Sequence, residues 1–92
     1  MKVTINVTAE DIDKGVPHSA CKCAVFLATS RVLPSLASLG AFSFWFLRGN
    51  DRISVRRAGR VNDLIDQLDS GQNVRPFTFI LDVPGSVPVV TP

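Results

Sequence analysis

His18, Cys21 and Cys23 put an imidazole and two thiols within six positions, spaced H-x2-C-x-C. These are soft ligands, and at that spacing they could begin a site for zinc or another thiophilic metal, but a closed structural zinc site takes four. The chain contains one histidine and two cysteines in all. A fourth soft ligand would have to come from a second chain, so no metal or cofactor is expected. The plainer assignment makes one cysteine a small core residue and the other a cap on a helix surface. Two positions apart, the thiols are badly placed to bond one another, which fits a reducing compartment.

The same cluster is the main ground for catalysis. Ser19 and Cys21 lie beside His18 in sequence, yet a nucleophile and base need a third group to orient the base, and no such acid is evident nearby. Neither G-x-G-x-x-G nor G-x-x-x-x-G-K-[ST] occurs, so no phosphate-cradling loop is indicated. Asp63, Asp66 and Asp69, three apart, read as a solvated helix face. The chain is expected not to be an enzyme.

A second chemistry lies in the arginines. Arg48, Arg52, Arg56, Arg57 and Arg60 fall within thirteen positions, just after Trp45, while acidic residues gather on either side at 10–13 and 63–69. Guanidinium groups neutralise phosphates and an exposed indole stacks on bases, so these six residues are the candidate nucleic-acid-binding set. The plainer reading is a solvated strand whose charges discourage edge pairing, or that pairs with Asp63 and Asp66. A net charge of +2 does not by itself select a nucleic-acid or membrane partner.

These residues have to be positioned by local structure. Lys2–Val7 alternates apolar and polar residues with the period of a half-buried strand. Thr8 and Asp11 are spaced as a capping box opening a short helix over 9–14, with Gly15 as its stop. A longer helix is expected from His18 or Ser19 to about Leu33, ended by Pro34. Ser35–Gly40 is expected to be a turn that tucks Leu36 and Leu39 under the domain.

Ala41–Leu47 reads as a central strand with apolar residues on both faces, Phe42, Phe44 and Phe46 against Ser43, Trp45 and Leu47. A turn around Gly49 and Asn50 leads to a strand with Ile53 and Val55 inward and Arg52, Ser54 and Arg56 outward. Val61, Leu64, Ile65 and Leu68 then form a helical stripe, with Gly71 just beyond its end. Phe77–Val83 is the last strand.

The predicted fold class is α+β: a two-layer sandwich in which an antiparallel sheet of about four strands carries helices on one face, in β-α-β-β-α-β order, ferredoxin-like or related. Residues 1–83 are expected to form a single domain and 84–92 a Pro-rich extended tail. The topology matches that of RNA-recognition sheets, but their signature aromatics lie on the two middle strands, and the stretch RISVRR has none. No apolar run approaches the roughly 20 residues of a membrane-spanning helix. The alternating N-terminus is unlike a signal peptide, so a cytoplasmic location is expected.

Thr8, Glu10, Asp11, Ile12 and Gly15 spell T-x-E-D-I-x-x-G, followed by Cys21 or Cys23 at a helix opening. Asp69 and Gly71 spell D-x-G ahead of P-F-x-F at Pro76, Phe77 and Phe79. In these features the chain resembles a group of small uncharacterised proteins encoded by bacteriophages and found in actinobacterial genomes. The resemblance covers both ends but not the arginine-rich stretch, and it implies a phage accessory protein acting inside an infected or lysogenic bacterial host. The first functional expectation is therefore a non-enzymatic interaction module with a host or phage protein as partner, through the sheet edge or the apolar tail. The alternative is nucleic-acid binding through residues 48–60. A third reading is a homodimer that buries the second face of strand 41–47.

Overall fold

The computed structural model describes residues 1–90. The chain is α+β, with eight elements in the order β1 (Lys2–Val7), α1 (Ala9–Lys14), α2 (Ala24–Val32), β2 (Leu36–Leu39), β3 (Ser43–Arg48), β4 (Asp51–Arg56), α3 (Gly59–Asp69) and β5 (Phe77–Asp82). The strands form two antiparallel sheets, β1–β5 and β2–β3–β4, rather than the single sheet of about four strands expected. A ferredoxin-like sheet would need a ladder joining β1 to the middle hairpin, and none is present among the described residues. The sheets meet through side chains instead. Phe44 of β3 stacks on Phe79 of β5, with ring centroids 6.1 Å apart, and α2 packs against both β1 and β2.

In β1 the alternation holds, with Val3, Ile5 and Val7 buried opposite Leu81, Phe79 and Phe77 of β5. The capping box forms as read. Thr8 Oγ1 accepts from Asp11 N at 3.1 Å and Asp11 Oδ2 accepts from Thr8 N at 2.9 Å. Gly15 does close α1, but its φ of −64° is ordinary. Its glycine is needed because a Cβ there would sit 2.5 Å from Ala24 N, where α2 begins.

Helix α2 is shorter than expected, since residues 15–23 are not helical. Its N-cap is Cys23, whose Sγ accepts from Phe26 N at 3.4 Å. Downstream, the expected turn at 35–40 holds a strand. Leu36 pairs with Phe46, Ser38 with Trp45 and Leu39 with Phe44, so one extra residue, Ala37, bulges from β2. A bulge shifts the side-chain alternation by one. It lets Leu36 and Leu39, three positions apart, both join the core as their apolar character requires.

The hairpin β3–β4 pairs Arg48 with Asp51 around Gly49 and Asn50. Gly49 has φ 58°, the positive angle demanded at the first central position of a II′ turn. Phe44 and Phe46 are fully buried opposite Val55 and Ile53. Phe42, expected on that face, precedes the strand and is 62% exposed. Helix α3 ends as predicted with Gly71 at φ 76°. Gly71 N donates to Leu68 O and Gln72 N to Gln67 O, the two bonds of a Schellman motif.

The segment expected as a Pro-rich extended tail is partly built into the fold. Val87 is 3% exposed and belongs to the core, and Val90 N donates to Val32 O at 2.7 Å. The last two positions of that tail, 91 and 92, lie outside the described residues.

Candidate functional site

The arginine set does not act as one patch, because strand geometry sends its members in different directions. Successive side chains on a strand point to opposite faces. The register of β3 with β4 therefore puts Ser43, Trp45 and Leu47 on the outer face beside Arg56, Ser54 and Arg52, with Ser38 of β2 across from Trp45. Arg48 falls on the other parity at the hairpin end, where Nη1 donates to Ser86 Oγ at 3.3 Å. Arg60 lies on α3 and donates to Thr78 O of β5 at 3.1 Å.

Arg57 is not a surface residue. It is 6% exposed, Nε donates to Asn62 Oδ1 at 2.8 Å, Nη1 to Ser43 O at 2.6 Å, and Nη2 to both Gly40 O and Ala41 O at 2.7 Å. Its guanidinium carbon stands 5.4 Å from the Phe44 ring centroid. Burial pulls its pKa below the usual arginine value, opposed by the nearby Cys23 and Asp66. The residue fastens the 40–43 loop to the start of α3, and its donors face protein acceptors rather than solvent. The sequence signal was present: Arg57 continues the inward series of Ile53 and Val55.

Two of the five arginines, Arg52 and Arg56, thus share a face with Trp45. Both are exposed, and neither makes an ion pair or side-chain hydrogen bond among the described residues, so the suggested pairing with Asp63 and Asp66 does not occur. Ser54 lies directly opposite Trp45, and Arg52 and Arg56 are its two diagonal neighbours on β4. The indole is half-buried, with its pyrrole edge on Gly40: a Cβ at that glycine would come within 2.6 Å of Nε1. Leu47 is 50% exposed, and Arg52, Ser54 and Arg56 are exposed too, so no helix covers this face. None of the side chains that the register places on it is acidic.

The histidine–cysteine cluster is dispersed as well. Cys21 is exposed, with its thiol donating to the bulge carbonyl of Ala37 at 3.5 Å, whereas Cys23 is buried as the α2 cap. No group of three potential metal-ligating side chains occurs among the described residues. His18 instead meets Asp69, an acid that the sequence did not reveal because it lies 51 positions away. The His18 backbone N donates to Asp69 Oδ1 at 2.8 Å, and Nδ1 stands 3.6 Å from Oδ2. His18 has φ 62°, left-handed for a non-glycine residue.

His18, Ser19, Cys23, Leu39, Arg57 and Asp69 line an open cavity of about 280 Å³. Burial pushes the Cys23 thiol up from its ordinary value, against the backbone N–H groups of Phe26 and Val25. It is protonated near neutral pH, a poor nucleophile. The cavity is lined by an acid and by a thiol that nothing activates, while the His18 side chain is largely exposed.

Compared with known proteins, the chain matches no family model, no curated protein and no solved structure. No helix of the described residues is long and apolar enough to cross a membrane.

Proposed function

We propose that the chain is a small phage-type accessory protein that acts inside a bacterial cell as a non-enzymatic macromolecular interaction module. Its working surface is the outer face of β2–β3–β4. The observation that carries this reading is the helix-free sheet face on which Trp45 and the half-exposed Leu47 stand beside two arginines with no ion-pair partner among the described residues. Indole and guanidinium groups dominate the energetics of many macromolecular interfaces, and an apolar centre with a polar rim is their usual anatomy. The phage-type origin rests on the resemblance at both ends of the chain. The C-terminal segment is a weaker docking element than the sheet, because Val87 and Val90 are already engaged within the chain.

The test is differential capture from host lysate. A partner should be retained by the wild-type protein and by an Ile80→Ser control, altered on the outer face of β1–β5 where Ile80 is 64% exposed. It should be lost from a Trp45→Ser, Leu47→Ser double variant. Equal retention by all three proteins would remove the face from consideration. Sedimentation at several concentrations tests for a second copy as occupant: association lost in the double variant places a homodimer on the same face.

A further inference from the structure

We propose that the occupant of this face is single-stranded nucleic acid, with Trp45 as the stacking platform and Arg52 and Arg56 as phosphate contacts. The inference rests on the reading of the outer face as the working surface and adds the chemistry of its partner.

Charge complementarity supports it first. Arg52 and Arg56 are free of carboxylate partners among the described residues, and the register places no acidic side chain beside them on the face. A polyanion would meet two uncompensated cations there. Four strand positions separate the arginines by about 13 Å, so they can contact phosphates at either end of a short extended stretch rather than compete for one.

The position of the indole is the second support. Trp45 is on the middle strand, midway along the sheet between the two arginines, and its cross-strand neighbours are Ser54 and Ser38. These small neighbours put no bulky side chain across the half-buried ring, while contact with Gly40 fixes its edge. A base can stack on such a ring whatever its identity, because every base has a π-face. A duplex keeps its bases stacked on one another and offers only its backbone, so the face should favour single strands.

The proposal also shrinks the arginine set. Arg57 is occupied inside the fold and Arg48 and Arg60 are directed elsewhere. Two phosphate contacts imply a weak complex with a modest salt dependence.

The experiment is fluorescence anisotropy of a labelled oligothymidylate titrated with the full chain between ~50 and ~200 mM salt. Binding should be tighter for the single strand than for a labelled duplex. In an Arg52→Ala, Arg56→Ala double variant the log–log salt slope should fall by about 1.4, at about 0.7 for each phosphate contact in a single strand. Trp45→Ala should weaken binding by about 5- to 150-fold, the range for loss of one base–aromatic stack.

The double variant changes exposed side chains alone and remains informative if Trp45→Ala unfolds the chain. Absence of binding at low salt, equal affinity for duplex, or an unchanged slope in the double variant would each overturn the proposal. If oligonucleotides fail to bind while a protein partner is captured through Trp45 and Leu47, the face stands as an interface and the nucleic-acid assignment falls. If neither binds, both fall.

Discussion

Arg57 shows how residue type alone can mislead about role. It is one of five arginines in a short stretch, yet its guanidinium is buried against three backbone carbonyls and the Asn62 side chain. Removing it takes the side-chain donor from Gly40 O, Ala41 O and Asn62 Oδ1, whereas Ser43 O keeps Gly40 N at 2.8 Å. Arg57→Met should cost about 3–5 kcal/mol in urea unfolding, since more than one acceptor loses its donor at about 1–3 kcal/mol each. Arg57→Lys should also destabilise, by roughly 1–3 kcal/mol, because one ammonium cannot span the fork of acceptors.

Asp11 makes stability depend on pH. Its buried carboxylate accepts from Arg31 Nη1 at 2.9 Å and Nη2 at 2.8 Å as well as from Thr8 N. The hydrogen bond from Arg31 lowers its pKa, against the opposing effect of burial. A carboxylate with a folded pKa below its unfolded one contributes stability that is complete above the unfolded value, about 3.9, and is lost as pH falls through the folded one. Arg31 is about half exposed, so solvent screening holds the contribution to about 1 kcal/mol. Asp11→Asn should flatten the acid limb of a stability–pH profile below about pH 4, leaving a nearly constant deficit above it.

At the scale of the elements, what was legible followed local chemistry. The alternation of Val3, Ile5 and Val7, the Thr8–Asp11 capping box and the Gly71 stop of α3 all depend on neighbours within a few positions. Strand β2 was not legible, because Ser, Ala and Leu carry no strong strand preference and its pairing partner lies beyond Gly40. The true start of α2 was hidden for the same reason: His18 to Lys22 is held by Asp69, Leu39 and Ala37 from elsewhere in the chain.

One consequence belongs to β2 and β3 together. Gly40 is small because the Trp45 indole rests against it. Gly40→Ala should displace the ring, seen as a shift in tryptophan emission, at a cost of about 1–3 kcal/mol for overpacking. An unshifted emission would mean that the indole is not seated there.

Across the whole molecule, the expected α+β class holds while the single sheet divides into two. Nothing in the sequence pattern distinguishes these outcomes, since Val3, Ile5 and Val7 would alternate identically beside β4 or without it. The division places β3 at the centre of its own small sheet, with one face buried and one open. Within the C-terminal segment, Val87 completes the core. Truncation after Val83 should destabilise the chain by about 1.5–3 kcal/mol, the value of burying one valine side chain such as Val87.

Single strands bound at the open face of β2–β3–β4, as proposed, would stack a base on Trp45. The chain has one tryptophan and no tyrosine, so its near-ultraviolet emission reports on that face. Titrating oligothymidylate at low salt while recording this emission tests that stacking most directly. Quenching should saturate together with binding of the labelled strand and be reversed by added salt. Binding of the strand with Trp45 emission unchanged would contradict the stacking.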